Sequence, residues 1–397
     1  MRIQPISARP VVLAFTRHYL PGFRAGGPIR SIANLVERLG DEFEFRIVTS
    51  DRDMGDKEKY PEITGSEWYK VGKGHVRYVD PRTLSLLALR RLFEQTRHDL
   101  IYLNSFFDPW FTIRILVNRQ LAGTPGAPIV IAPRGEFSQG ALALGRAKKS
   151  LYIGTSRMLG LYAGLHWHAS TEHELEEIRR ALGRVAEKRI RVARNLSQAV
   201  TGECIEWLER PARSPLRVCF LSRISPKKNL DFCLRVLLRV RVPITFSVYG
   251  PVESVSYWNE CQALISGLPE HIRVVHEGEV RPSDVVSMLA RHDLFFFPTR
   301  GENFGHVIHE ALRAGLPALI SDQTPWRDLA SKGVGWTIPL QDVQGYVDVI
   351  EEVADWTREQ SRESFERVRR YAKSVDLDEE LVSSNRRIFL SALQERG

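Results

Sequence analysis

The stretch 298-PTRGENFGHVIHEALRAGLPALIS-321 decides the architecture. It overlaps 293-DLFFFP-298, a short apolar run closed by proline, which has the composition of a parallel strand buried on both faces. Phe304, Val307, Ile308, Ala311 and Leu312 then recur at helical spacing, which predicts a helix with one apolar face. Gly315 suits the position just past that helix, and Pro317 opens a further strand, 317-PALIS-321. The order strand, loop, helix, strand puts the loop 300–305 at the carboxyl end of a strand, where open α/β sheets bind their ligands.

Glycines 301 and 305 let a ligand approach the backbone, and the free N–H groups of a helix start attract anions. Two acids accompany that anion site, Glu302 in the loop and Glu310 inside the helix. A ligand carrying both phosphate and hydroxyls, such as a sugar joined to a nucleotide diphosphate, would use both. For Glu302 the alternative is an acid that merely favours a helix start. Glu310 has apolar neighbours and is expected near the rim of the buried stripe. A hydrolase pair fits less well, because eight residues at helical rise span about 12 Å, beyond the roughly 5–9.5 Å such carboxyls need.

The same strand–helix alternation runs through the whole chain. Its 397 residues and 43% hydrophobic content suit two domains. Apolar runs at 11–16, 43–50, 75–80, 99–103 and 128–132 read as strands of a first half. Runs at 216–222, 243–249, 272–276, 293–297 and 317–321 read as those of a second. The expected fold class is α/β, with two Rossmann-like doubly wound domains facing a cleft. The expected division is 1–205 for an acceptor-binding domain, 206–215 for a linker carrying two prolines with its flank, and 216–375 for a nucleotide-sugar domain. The last part, 376–397, reads as a helix returning to the first domain, with Leu381, Ile388, Leu390 and Leu393 needing a partner surface.

The net charge of +8 admits nucleic acid, an anionic membrane surface or phosphorylated substrates as partners. No helix-turn-helix, zinc or RNA-binding signature supports the first. No apolar run reaches the length of a membrane span. The four cysteines form no CxxC pair and no metal-ligand spacing, and read as reduced thiols of a cytosolic protein.

Loop 17-RHYLPGFRAGGPIRS-31 follows the first strand and precedes a helix expected to be capped at Ser31. Strand, glycine-rich loop, helix is a phosphate-cradling order, although GxGxxG is absent and an ordinary loop is the alternative. Asp51 and Asp53 have DxD spacing, read here as a loop at a strand end rather than a metal site. Arg134, Gly135 and Glu136 follow a strand directly and are expected to face the cleft. The segment 146–167 mixes Arg146, Lys148, Lys149 and Arg157 with Tyr152, Met158, Leu161, Tyr162 and Trp167. Such a helix either rests on an anionic membrane face or packs on its own domain. His166 and His168 read as strand residues. In 222-SRISPKKNL-230, Arg223 and Lys228 lie across a loop, where two fixed cations can hold a diphosphate.

Residues 216–321, with SRISPKKNL, VYGP, GEV and GENFGHVIHEALRAG, resemble the nucleotide-binding half of family-four glycosyltransferases of the GT-B fold. Glu302 and Glu310 match that family's EX7E motif, and 26-GG-27 matches its first-domain glycine loop. The resemblance implies a retaining, metal-independent transfer of a sugar from a nucleotide diphosphate, UDP- or GDP-linked, to a glycan or lipid-linked glycan, with no cofactor. It implies Glu302, Arg223 and Lys228 as the catalytic set. Donor contacts would come from Gly26, Gly27, Gly250, Val280, Asn303, Phe304, Gly305, Val307 and Glu310. Val280 would lie beside the base, and Glu310 would take the ribose. Many relatives place a histidine where this chain has Arg134, which makes Arg134, with His18 and Asp51, the acceptor-side candidate. Bacterial relatives often build surface polysaccharide, so a cytoplasmic enzyme at the inner membrane face is the expectation. A non-catalytic nucleotide-sugar-binding scaffold is the alternative.

Overall fold

The computed structural model describes residues 9–65, 67–122, 126–138, 141–142, 146–183, 189–198 and 205–395. The chain forms two compact units, one of residues 1–199 with 378–397 and one of residues 200–377. Each is an α/β unit built on a mostly parallel sheet.

In the first unit the strands are β1 (Val11–Phe15), β2 (Glu44–Ser50), β3 (Trp68–Val71), β4 (Gly74–Val79), β5 (Leu100–Asn104), β6 (Ile129–Ala132), β7 (His166–Ala169) and β8 (Ile190–Val192). They form an eight-stranded sheet ordered β3-β4-β2-β1-β5-β6-β7-β8. Only β3 is antiparallel, joined to β4 by a tight hairpin. All five residues of β1 are buried, as a strand covered on both faces requires.

The helix Glu379–Gln394 packs on this sheet through Leu381, Asn385, Ile388, Phe389 and Ala392. Phe389 lies against Phe43, Phe45 and Tyr102, with ring centroids 5.4, 6.0 and 5.3 Å away. The buried stripe differs from the expected one at one position. Leu390 is 39% exposed, and the neighbouring Phe389 is the residue turned inward. The first helix also differs from expectation. It runs Gly27–Leu39, a turn earlier than a cap at Ser31 would allow, and Ser31 Oγ bonds back to the Gly27 carbonyl at 3.0 Å.

The second unit carries β9 (Leu216–Leu221), β10 (Ile244–Tyr249), β11 (Ile272–Gly278), β12 (Leu294–Phe297), β13 (Ala318–Ser321) and β14 (Gly335–Ile338). These form a six-stranded, wholly parallel sheet ordered β11-β10-β9-β12-β13-β14. Strand order reverses between β9 and β12, so the loops after these two strands leave the sheet side by side and turn to opposite faces. Such a switch point is where doubly wound sheets open a crevice. The first unit has its own reversal, between β1 and β5. Residues 205–210 are irregular and tied to the second unit, where Arg210 donates to the Ala354 carbonyl at 2.7 Å and Arg217 to that of Leu208 at 3.0 Å.

Candidate active site

The loops at the second unit's switch point are stitched to one another. After β9 the chain makes a short turn, Pro226–Lys228, and passes through Asn229 in the left-handed region (φ 64°) before the helix Leu230–Leu237. Asn229 donates to the Pro298 carbonyl at 2.9 Å and accepts from Arg300 Nε at 3.0 Å. Arg300 N donates to the Lys227 carbonyl at 2.9 Å, and Thr299 Oγ1 lies 3.2 Å from the same carbonyl. This stitching brings Lys228 Nζ to 2.5 Å from Glu302 Oε1, with their side chains 13% and 14% exposed. Thr299 Oγ1 donates to the same carboxylate oxygen at 3.0 Å.

Glu302 is thus paired within the switch point rather than standing in a helix's first turn. The helix His306–Arg313 begins at Gly305 (φ 76°), carries no side-chain cap and has no acid in its first turn. Glu302 lies before it, directed at Lys228. Gly305 is required by its left-handed backbone, and a Cβ there would lie 2.8 Å from Ile308 Cδ1. Phe304 is buried, and its carbonyl accepts from Trp326 Nε1 at 2.5 Å. Buried Asn303 Nδ2 has no partner among the described residues. Glu310 is buried at 8% exposure, deeper than a rim position, and Val307 is half-buried.

Arg223 and Gly250 complete the edge. Arg223 Nη1 pairs with Glu253 Oε1 at 2.8 Å in a half-exposed ion pair. Each of the two expected phosphate cations thus holds a carboxylate of its own chain. The Arg223 pair is of the solvent-screened kind, with a net value of about 0–1 kcal/mol. A Cβ on Gly250 (φ 125°) would stand 2.0 Å from the Ser222 carbonyl oxygen, so only glycine lets the loop after β10 pass the loop after β9. Val280 follows β11 and packs half-buried on the core.

One residue here was invisible in the sequence. His309 is 3% exposed on the helix His306–Arg313, stacked on Trp326 with ring centroids 5.8 Å apart. Its Nε2 lies 3.2 Å from Asp376 Oδ1, and Arg313 Nε lies 3.6 Å from the other oxygen. Nothing in a lone histidine on an apolar stripe announces a partner 67 residues away.

In the first unit, Gly26 (φ 68°) caps the helix Gly27–Leu39, and Pro28 occupies its first turn. The glycine pair therefore ends the loop at a helix start, with amides suited to an anion. Asp53 holds that loop, accepting from Phe23 N at 2.8 Å, Arg24 N at 3.1 Å and Met54 N at 2.7 Å. Asp51 is paired with Arg52 at 2.8 Å and Lys59 at 3.3 Å. Both acids of the DxD are thus engaged in structure, and no group able to hold a metal ion occurs among the described residues. His18 Nδ1 is buried with no partner among the described residues. Burial lowers the ring's pKa, against the opposing charge of Asp53.

Arg134 follows β6 in the left-handed region (φ 56°), a conformation few non-glycine residues adopt. Two side chains of β5 and one that follows β8 hold it there. Nη2 donates to Tyr102 Oη at 2.6 Å and to Asn104 Oδ1 at 3.2 Å, Nε reaches Asn104 Oδ1 at 3.3 Å, and Nη1 bonds Asn195 Oδ1. Tyr102 Oη is 2.8 Å from His168 Nδ1, whose Nε2 is 2.8 Å from the Ala193 carbonyl. Since that carbonyl can only accept, Nε2 carries the proton and Nδ1 accepts from tyrosine. Burial, then Arg134, push the His168 pKa down to about 3, so the ring is neutral.

Glu136 does not present itself as Arg134 does. Its carboxylate turns inward, taking Ser105 Oγ at 2.7 Å, Phe106 N at 2.5 Å and Phe107 N at 3.0 Å, and burial raises its pKa. It organises the loop after β5.

Residues 209–375 match the family described as Glycosyl transferases group 1. A search of the curated proteins finds no match to the chain. Among solved structures, the Anabaena protein HepE in complex with UDP and glucose is similar at 15% identity, over 96% of this chain and 99% of that one, with a TM-score of 0.68. The sucrose-phosphate synthase of Thermosynechococcus elongatus is similar at 14% identity, over 96% and 100%, with a TM-score of 0.68. WaaG, a glycosyltransferase involved in lipopolysaccharide biosynthesis, is similar at 13% identity, over 91% and 95%, with a TM-score of 0.61. The fold is that of GT-B glycosyltransferases, and the family match falls within the second unit.

Proposed function

We propose that the chain is a retaining, metal-independent glycosyltransferase that moves a sugar from a nucleotide diphosphate to a hydroxyl of a glycan acceptor in surface-polysaccharide synthesis. The observation that carries this reading is the pairing of Lys228 with Glu302 at the β9/β12 switch point. A cation and a carboxylate side by side, next to a helix start, suit a ligand with a diphosphate and a sugar.

In this reading the diphosphate is held by Lys228 and Arg223 and by the amides at Phe304 and Gly305. Glu302, released from Lys228, takes hydroxyls of the transferring sugar. Glu310 takes the ribose, and Val280 lies beside the base. The anomeric carbon–oxygen bond to the phosphate breaks, and the acceptor oxygen bonds the same carbon from the same face. The acceptor's proton passes to the departing phosphate oxygen. Catalysis comes from holding the charge that develops on that phosphate, the part metal ions play elsewhere. HepE's complex with UDP and glucose favours a uridine donor.

The first unit receives the acceptor. Its helix Arg146–Met158 and the residue after it leave Leu151, Met158 and Leu159 exposed at 69%, 81% and 61%, with Lys148 and Arg157 exposed beside them. That combination supports a peripheral contact with an anionic membrane face. Among the described residues no helix is long and apolar enough to cross a membrane.

Proton NMR of nucleotide-sugar turnover tests the reaction. The first product should carry the donor's anomeric configuration, at a rate EDTA leaves unchanged. An inverted product, or activity lost to EDTA and restored by a divalent ion, would refute the mechanism.

A further inference from the structure

We infer that Arg134 is the anchor for an anionic group, a phosphate or a carboxylate, on the acceptor. This deepens the proposed transferase reading and rests on it. Arg134 is half-buried, and its hydrogen-bond partners Tyr102, Asn104 and Asn195 are all neutral. The carboxylates around it are committed elsewhere. Asp108 holds Arg17 at 2.6 Å and the amides of Trp110 and Phe111. Glu136 holds Ser105 and two amides, and Glu174 holds Ser170 and the Gly135 amide. No carboxylate lies within ion-pair distance of Arg134 among the described residues.

Proton bookkeeping sharpens the point. His168 donates to the Ala193 carbonyl and accepts from Tyr102, so Tyr102 offers Arg134 an oxygen and nothing else. The network thus aims the guanidinium without neutralising it. A guanidinium has five N–H groups. Four bonds are made here, and one hydrogen of Nη1 stays uncommitted among the described residues. A half-desolvated cation left uncompensated is unfavourable unless an anion completes it. The planar fork suits phosphate and carboxylate oxygens alike. The left-handed backbone at Arg134 indicates that the fold keeps this side chain in place against local preference.

The test uses the full chain with saturating UDP, so that phosphate cannot report on the donor site. Inorganic phosphate and acetate are titrated separately at constant ionic strength, with thermal stability and calorimetry as readouts. At least one anion should bind the wild type. Arg134→Gln should weaken that binding about tenfold or more, the loss of one charge-assisted contact, and Arg134→Lys should recover part of it. Which anion binds distinguishes a phosphorylated from a carboxylated acceptor. A purely structural role predicts instead that Arg134→Gln lowers thermal stability but binds the anion as the wild type does, which would overturn the inference. So would a wild type that binds UDP and neither anion, a result that needs no variant to fold. Failure of UDP itself to bind would count against the transferase reading rather than this anchor.

Discussion

Replacing Lys228 with methionine should remove one half of the Lys228–Glu302 pair while keeping its aliphatic stem. The two side chains are each about seven-eighths buried and 2.5 Å apart. At an effective dielectric near 20, two unit charges about 3 Å apart attract by roughly 5–6 kcal/mol before desolvation. Desolvation of both ions offsets most of that in the intact pair, but removing one partner leaves the other buried and unbalanced. Glu302 would retain the Thr299 hydroxyl. Lys228→Met should therefore destabilise the second unit by ~3 kcal/mol, and Glu302→Gln by ~2. The double variant should lose no more than the worse single variant, giving a coupling of ~2 kcal/mol in urea unfolding. Nucleotide affinity should split the two. Lys228→Met should weaken UDP binding 10–100-fold, the range for lost charge-assisted hydrogen bonds. Glu302→Gln should leave it unchanged or tighter, because the carboxylate that competes for Lys228 is gone. Strictly additive stability losses, or equal weakening of UDP by both substitutions, would refute the reasoning.

Three further outcomes follow from the same geometry. Gly250→Ala should destabilise the second unit by ~3 kcal/mol or more, since its Cβ would meet the Ser222 carbonyl at 2.0 Å, whereas Gly26→Ala, with open space around its Cβ, should lose only about 1 kcal/mol to its positive φ; similar losses in urea unfolding would contradict this. His168 has a folded pKa of about 3 against an ordinary 6.5, so the unfolded chain binds the extra proton between those values. Its contribution to stability is therefore full above about pH 6.5 and falls towards pH 3 by about 1.4 kcal/mol per pH unit; His168→Gln should flatten the acid limb of first-unit stability accordingly, and an unaltered slope would refute the assignment. Trp326→Phe removes the donor to the Phe304 carbonyl and should weaken UDP binding by about fivefold, near 1 kcal/mol; calorimetry showing no change would mean that this bond does not set the loop.

What could be read in the sequence was whatever depends on local period. β1 and β12 are uninterrupted apolar runs and β5 and β9 nearly so, the composition expected of strands buried on both faces. β3, β8 and β14 were not legible, being three or four residues long with no buried alternation to mark them. The switch-point loops were recognisable because glycine, proline and charge cluster directly after strands. Their pairing was not, for Lys228 and Glu302 are 74 residues apart and only the β9–β12 adjacency joins them. The same limit hid His309 and Asp376. It also made Glu136 look like a site residue when its carboxylate serves the loop after β5. Phe389 was missed in favour of Leu390 because a helical stripe read from sequence can slip by one position when two neighbours are both apolar.

A nucleotide-diphosphate site on the second unit is tested most directly by ligand-induced stabilisation. UDP, GDP, ADP and dTDP, and sugars linked to each, would be screened for thermal stabilisation with and without EDTA, on the wild type and on Lys228→Met. A ligand at 100 times its dissociation constant adds about 2.7 kcal/mol. A selective shift for one base is expected, indifferent to EDTA and largely lost in Lys228→Met. No shift with any nucleotide, or an equal shift in the variant, would contradict it.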